Sequence, residues 1–364
     1  MKQKNLTILA IETSCDDTGI SIIRCKPESK KRKAVFEILS NIVSSQVKIH
    51  AQYGGVYPLL AKREHQKNLP TVLKKALRQA KLSLKEIDLI AVTVGPGLEP
   101  CLWQGINFAK ELANKLNLPI VPINHIEAHI LANWLDNKQL IMNSEQIFPA
   151  IALIVSGGHT QLILMKNLGK YKILGETRDD AAGECFDKTA RTLGLGYPGG
   201  PAIEAKSSKA DKDQPSISLP RPMIYHKNYD FSFSGLKTAV LYLVKKNFYK
   251  NNQLTINDQE LAIISHEIQQ AIIDVLIFKT IKAAKEYKAK SIILGGGVIA
   301  NKELRKQFQS AISKQQLVIK FLVPPKKFCT DNAAMVAIAG YYNWFKNKKR
   351  KNSTIEANAN LRLK

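Results

Sequence analysis

The chain is poor in features that mark secreted, membrane-bound or disulfide-stapled proteins. Its five cysteines (Cys15, Cys25, Cys101, Cys185 and Cys329) are scattered, with no C-x-x-C pair. That argues against a disulfide framework and against a cysteine zinc site. No apolar run approaches the ~18 residues needed to cross a bilayer. The basic start Met1-Lys2-Gln3-Lys4 leads into an apolar stretch that ends at Glu12, too short for a signal peptide. These absences imply a cytoplasmic protein with no membrane partner. Acidic residues are scarce as well: 30 against 54 basic ones, a net charge of +24. A field of that sign suits a polyanion such as RNA, or an acidic partner. Lysine tracts such as 30–33 and 346–351 are equally what a lysine-rich proteome yields.

Several catalytic signatures are missing too. No Gly-Lys-Ser/Thr follows either glycine-rich turn, so there is no P-loop, and neither turn completes the dinucleotide fingerprint. No Ser/His/Asp triad or nucleophile elbow is recognisable. The zinc-peptidase pattern is absent in an instructive way. In His125-Ile126-Glu127-Ala128-His129 the two histidines are four apart, about 40° from each other on a helix, and can share one metal ion. A peptidase carries its glutamate directly after the first histidine. Glu127 comes two residues after it, roughly 200° away, and points off the histidine face.

What is present is 364 residues, 45% of them hydrophobic, enough for two domains of ordinary size. Residues 6–12 read as a buried strand, 13–17 as a polar turn and 18–24 as a returning strand. Residues 26–33 look like a basic hairpin loop before a strand at 35–41. Helical spacing covers 59–81, another strand 87–94, and a helix about 103–116. The opening pattern recurs near Ala150: a strand at 151–155, the turn Ser156-Gly157-Gly158-His159, and a returning strand at 160–165. A strand at 291–294 later runs into Gly295-Gly296-Gly297 and a helix from about Asn301. Two strand–turn–strand hairpins, each opening an α/β half, imply a duplicated two-lobed architecture with a cleft between the lobes. The first lobe is expected over 1–135, completed by a C-terminal helix at about 333–364. The second is expected over 136–332, with a surface excursion at 207–230.

Two imidazoles invite a third ligand, and a carboxylate is the natural one; such a set suits iron(II), with zinc the alternative. Cys329-Thr330-Asp331-Asn332 offers that carboxylate at the start of an apolar helix, where Asp331 also fits as a helix cap. Glycines at 156–160 and 295–301 let backbone N–H groups approach a phosphate or adenosine. Asp187 fits either a ribose contact or a solvated helix face. Phe231-Ser232-Phe233-Ser234 reads as an alternating strand, or as a platform on which a base stacks.

Together these segments carry a resemblance. Ile11-Glu12-Thr13-Ser14-Cys15-Asp16-Asp17-Thr18-Gly19 resembles the opening of the universal tRNA threonylcarbamoyladenosine transferases. Segments 124–129, 155–162, 179–188, 194–201, 231–238, 295–301 and 329–335 resemble that family's later motifs, in order. The resemblance implies the actin/sugar-kinase/Hsp70-like fold. It also implies transfer of a threonylcarbamoyl group from threonylcarbamoyl-AMP to N6 of adenosine 37 in tRNAs reading ANN codons, with release of AMP. It places metal ligands at His125, His129 and Asp331, for Fe2+ or Zn2+. Adenylate contacts fall at Ile154, Val155, Ser156, Gly157, Gly158, Asp187, Gly200 and Asn301. No general base is evident; Asp16 is a candidate. The implied partners are tRNA, an inactive paralogue in a heterodimer and a small P-loop ATPase. The rival readings are a metallopeptidase, a small-molecule kinase on the same fold and a non-catalytic scaffold. Glu99-Pro100-Cys101, after the Gly-Pro-Gly turn, departs from the small apolar residues usual in bacterial members.

Overall fold

The computed structural model describes residues 5–27, 34–135, 146–211, 217–250, 253–346 and 355–363. The basic loop expected at 26–33, the tail at 346–351 and the excursion at 207–230 lie partly outside the described residues. The chain forms two compact units, one of Met1–Asn143 with Pro324–Leu363 and one of Ser144–Val323. Asp331 therefore belongs to the same unit as His125 and His129.

The first unit opens with β1 (Leu6–Glu12), β2 (Asp17–Pro27) and β3 (Ala34–Ser45), followed by α1 (Val47–Ala51) and α2 (Pro58–Ala80). Then come β4 (Leu89–Gly95), α3 (Glu99–Leu116), β5 (Ile120–Asn124) and α4 (His125–Leu131). The sheet order is β3-β2-β1-β4-β5, with β1 antiparallel to β2 and parallel to β4. β1 and β4 are buried along nearly their whole length, which is why they read as unbroken apolar runs and not as alternation. In α2, Ala61, His65, Leu69, Val72, Leu73 and Ala76 form the buried face, and Pro58 starts the helix where its missing N–H costs nothing. Glu99 and Pro100, the departure noted above, open α3: the acid suits the helix N-terminus and the proline its first turn.

The second unit repeats the plan. Its elements are β6 (Ala150–Val155), β7 (Thr160–Asn167), β8 (Lys170–Glu176), α5 (Ala182–Thr192), α6 (Gly199–Ser207), α7 (Ser234–Phe248), β9 (Tyr249–Lys250), β10 (Gln253–Leu254), α8 (Asp258–Glu286), β11 (Ser291–Gly295), α9 (Lys302–Lys314) and β12 (Lys320–Leu322). Its main sheet runs β12-β11-β6-β7-β8, the same order of hairpin and parallel strands as in the first unit. The duplicated α/β architecture read from two hairpins is thus present. α8 is long and apolar enough to cross a membrane by length and composition, a property the apolar-run reading missed. Most of its apolar window is buried inside the fold, where it is a core helix carrying Ile264, Ile268, Ile272 and Leu276.

The chain then returns to the first unit with α10 (Ala333–Lys346), whose residues Ala333–Tyr341 are buried. A Cβ on Gly340 would lie 2.6 Å from the Cβ of Ala91, so only glycine lets α10 lie this close to β4. At the other end, a Cβ on Gly19 would be 3.1 Å from the Ala333 nitrogen, which fixes the start of α10 against β2.

Candidate functional site

β5 ends and α4 begins at Asn124, whose Oδ1 accepts from the Ile126 and Glu127 N–H groups at 2.9 and 3.1 Å. This cap sets the first turn, and the four-residue spacing then stacks His125 and His129 on one buried face, ring centroids 4.5 Å apart. Asp331 comes from the turn before α10. Its Oδ1 lies 3.6 Å from His125 Nε2 and 3.1 Å from His129 Nε2. One ligand atom from each of the three residues falls within 4.8 Å of the others, so the three sequence-predicted ligands form a candidate site for one metal ion. The helix cap is made by Asn332, not Asp331: Asn332 Oδ1 accepts from Met335 N–H at 3.2 Å. Glu127 accepts from Asn343 Nδ2 at 2.9 Å, an engagement with α10 that leaves the peptidase reading without its base.

The donor set fits a metal on an observation of its own. Among the described residues, neither ring nitrogen of buried His129 makes an aligned hydrogen bond, although Nε2 lies near Asp331. Nε2 faces the Asp331 carboxylate at 3.1 Å without aligned hydrogen-bond geometry, an arrangement that a cation shared between them would suit. His125 is oriented from behind by a residue the motif reading did not single out. Its Nδ1 lies 3.2 Å from Glu12 Oε2 and 3.2 Å from Ser14 Oγ. Glu12 also accepts from Thr93 Oγ1 at 2.7 Å and from Ser14 N–H at 2.6 Å. A carboxylate behind a ligating histidine fixes its tautomer and directs the other nitrogen to the metal. The available signal was a glutamate closing an otherwise apolar buried strand.

The electrostatics agree. Burial alone would lower the His125 pKa, but the Glu12 and Asp331 carboxylates outweigh it and push it up to about 9. Burial would raise Glu12, yet the His125 charge and hydrogen bond hold it below the usual carboxylate range. Burial and the neighbouring His125 charge lower His129. Burial and the negative Asp331 raise Asp16, and burial carries Asp17 up to about 7.

In the second unit the turn between β6 and β7 is closed by Ser156 N–H donating to His159 O at 2.8 Å and His159 N–H donating to Ser156 Oγ at 3.1 Å. Gly157 and Gly158 are exposed, with no atom within 4 Å of where a Cβ would be. Gly183 N–H, from the first turn of α5, donates to Ser156 O, so this helix starts against the turn. Gly296 has φ +93°, and a Cβ there would lie 2.3 Å from Val155 O. The two glycine turns are therefore neighbours at the ends of adjacent parallel strands. Ile154 and Val155 are fully buried in β6 and support the turn from beneath. Asp187 Oδ1 accepts from Gly199 N–H at 2.7 Å and so anchors the start of α6, next to Gly200, whose Cβ direction is open. Asn301 is buried and committed: its Oδ1 caps α9 at Leu304 N–H and its Nδ2 donates to Gln269 Oε1 at 2.7 Å.

The expectation for 231–238 needs correction. Phe231 and Phe233 are fully buried and Ser234 begins α7, so the segment is neither an alternating strand nor a base-stacking platform. Asp179 holds that start by accepting from Phe233 N–H, Ser234 N–H, Ser232 Oγ and Ser234 Oγ.

Comparison with known proteins follows the same lines. Residues 37–338 match the family model described as tRNA N6-adenosine threonylcarbamoyltransferase. A curated protein of that name from Thermosipho africanus is 47% identical over 358 residues, covering 98% of this chain and 100% of its own. The Bacillus subtilis protein of that name is 44% identical over 339 residues, covering 93% of this chain and 91% of its own. Among solved structures, HypF from T. kodakarensis aligns with a TM-score of 0.59 at 13% identity, over 94% of this chain and 48% of HypF. A full-length HypF in a phosphate- and nucleotide-bound form aligns with a TM-score of 0.57 at 11% identity, over 97% of this chain and 47% of that one. The HypF likeness is one of fold alone.

Proposed function

The chain belongs to the tRNA N6-adenosine threonylcarbamoyltransferase family, and from that premise we propose that its donor is threonylcarbamoyl-AMP and its acceptor N6 of adenosine 37 in tRNAs reading ANN codons. It is a transferase on the duplicated actin/sugar-kinase/Hsp70-like fold. The observation that carries the reading is the convergence of buried His125 and His129 on the partly buried carboxylate of Asp331, with Glu12 behind His125.

In the reaction N6 of the adenine attacks the carbamoyl carbon and a new C–N bond forms. The bond from that carbon to the phosphate oxygen breaks, AMP leaves with the electron pair, and N6 gives up a proton. A single iron(II) ion, or zinc, held by the two histidines and the aspartate would supply Lewis acidity to the donor's carbonyl and phosphate oxygens. Glu12 keeps the proton on His125 Nδ1 and leaves Nε2 for ligation. The exposed backbone N–H groups of Gly157 and Gly158 receive the adenylate, Asp187 and Gly200 set the start of α6, and Asn301 ties the start of α9 to α8 after the Gly296 turn. We assign the N6 proton to Asp16, whose raised pKa makes it a better acceptor than an ordinary carboxylate.

The net charge of +24 supports tRNA as the partner, since phosphates supply most of such affinity. Family resemblance supports a cytoplasmic location and work alongside an inactive paralogue and a small P-loop ATPase. The deciding test supplies purified protein, with and without chelator, with threonylcarbamoyl-AMP and unmodified tRNA, followed by mass spectrometry of the nucleosides. Chelator-sensitive threonylcarbamoyladenosine is expected. No product, even with both partner proteins added, would defeat the reading.

A further inference from the structure

Ser14 lies in the loop joining β1 to β2 and touches both halves of the Glu12–His125 pair, through its N–H to Glu12 Oε1 and its Oγ to His125 Nδ1. The loop must therefore be held still for the imidazole to be held still. On one side the chain before α3 does this: Leu98 N–H donates to Ser14 O at 2.7 Å, and Gly97 approaches so closely that a Cβ would lie 2.5 Å from that oxygen. On the other side the link is a side chain of α2.

That side chain is His65, fully buried. Its Nε2 lies 2.9 Å from Cys15 O and its Nδ1 2.8 Å from Thr18 Oγ1. A carbonyl oxygen only accepts, so Nε2 carries the proton and Nδ1 accepts from the Thr18 hydroxyl. Both nitrogens of a neutral ring are used, and burial favours that neutral form, lowering the pKa. One ring thus spans the loop from Cys15 to Thr18. Its neighbours Ala61, Leu69, Val72 and Leu73 attach α2 by apolar packing and contribute nothing to this polar span. His50 is used differently: its Nε2 meets Gln46 Oε1 at 3.0 Å and its Nδ1 accepts from Tyr57 N–H at 3.3 Å, closing the chain before α2 upon itself.

We propose that His65 is a positioning residue for the metal centre, relaying the position of α2 through Cys15 and Thr18 to Ser14 and Glu12, and so to the orientation of the His125 ring. The proposal rests on the reading of His125, His129 and Asp331 as a metal set. Without His65, a partly buried carbonyl and a buried hydroxyl lose their partner, and the loop relaxes towards whatever can satisfy them. The Ser14 contacts then no longer hold Glu12 and His125 in register.

The test uses cobalt(II), whose visible absorption reports ligand geometry, titrated into the full chain with no substrate present. His65→Leu keeps bulk but breaks the span; His65→Gln offers an amide nitrogen and oxygen at nearly the separation of the ring nitrogens. His65→Leu should weaken cobalt binding about tenfold, the low end for residues behind a ligand, and change the spectrum. His65→Gln should restore both. A folded His65→Leu protein with unaltered affinity and spectrum would overturn the proposal, and so would a folded His65→Gln protein that restores neither. Should His65→Leu fail to fold, Thr18→Val decides, because it removes one bond and keeps the shape: a weaker, spectrally altered cobalt complex supports the relay, an unchanged one sinks it. If the unaltered protein binds no cobalt, the metal reading itself fails and takes this proposal with it.

Discussion

Glu12 Oε2 lies 3.2 Å from His125 Nδ1, joining the last residue of β1 to the first residue of α4 across 113 positions of sequence. The pair is fully enclosed, with Thr93 and Ser14 completing the bonds of the carboxylate. Its consequence is directional: the proton is kept on Nδ1, and Nε2 is the nitrogen turned to Asp331.

Glu12→Gln keeps the shape and an acceptor oxygen but removes the charge that favours the Nδ1 proton. Metal affinity should fall by about 10- to 100-fold, with transfer activity falling alongside it. Isothermal titration with a divalent ion measures this directly. An affinity equal to that of the unaltered protein would mean that the carboxylate does not orient the ligand.

His129→Leu makes an opposite pair of changes. A buried Nδ1 with no hydrogen-bond partner disappears, but so does the Nε2 contact to Asp331, so the metal-free protein should change in stability by no more than about 1 kcal/mol. The same variant should lose the rise in melting temperature that added metal confers. Thermal melts with and without metal read both effects. A variant still stabilised by metal as strongly as the parent would remove His129 from the ligand set.

The pH dependence has a definite sign. The folded-state pKa of His125, about 9, lies above the ordinary value of 6.5. The protonated ring therefore stabilises the metal-free protein fully below pH 6.5, and that contribution is lost as pH rises through about 9. Metal affinity runs the other way, because ligation needs the Nε2 lone pair. It should rise about tenfold per pH unit below that pKa and level off above it. Competition with a chelator across this range tests it; a flat profile would contradict the linkage.

Two glycines predict different failures. At Gly296, with φ +93° and a would-be Cβ 2.3 Å from Val155 O, alanine should cost at least about 2 kcal/mol of stability. At Gly157, where nothing lies within 4 Å, alanine should leave the melting temperature unchanged and weaken AMP binding. Calorimetry with AMP separates the cases. Unimpaired AMP binding by Gly157→Ala would take the phosphate away from this turn.

Asp16→Asn should slow transfer while metal binding is retained, since Asp16 is assigned to the proton and not to the ion. Single-turnover assays on metal-loaded protein measure this. An unchanged rate would leave the N6 proton to water or phosphate.

Much was legible in the chain because it is local. The apolar runs of β1, β4 and β6, the glycines that close their turns and the four-residue spacing of His125 and His129 each express a backbone period or a missing Cβ. They are visible wherever the fold later takes them. Phe231 and Phe233 misled because alternation of aromatics and hydroxyls looks the same in a strand and in a buried entry to a helix. Asp331 was ambiguous because a carboxylate just before an apolar helix suits a cap and a ligand equally; the neighbouring Asn332 takes the cap.

The two α/β halves, the histidine pair and the glycine turns follow from the order of residues alone, for these depend on periodicity and on residues close together in the chain. That Glu12 backs His125, that Asp331 closes the set and that His65 pins the loop carrying Ser14 emerges only once the chain is folded. Those relations depend on the close approach of α10 to the first sheet at Gly19 and Gly340 and on α2 burying one polar ring against the β1–β2 loop. Packing, not spacing, brings such distant residues within hydrogen-bonding reach, and no local pattern records it.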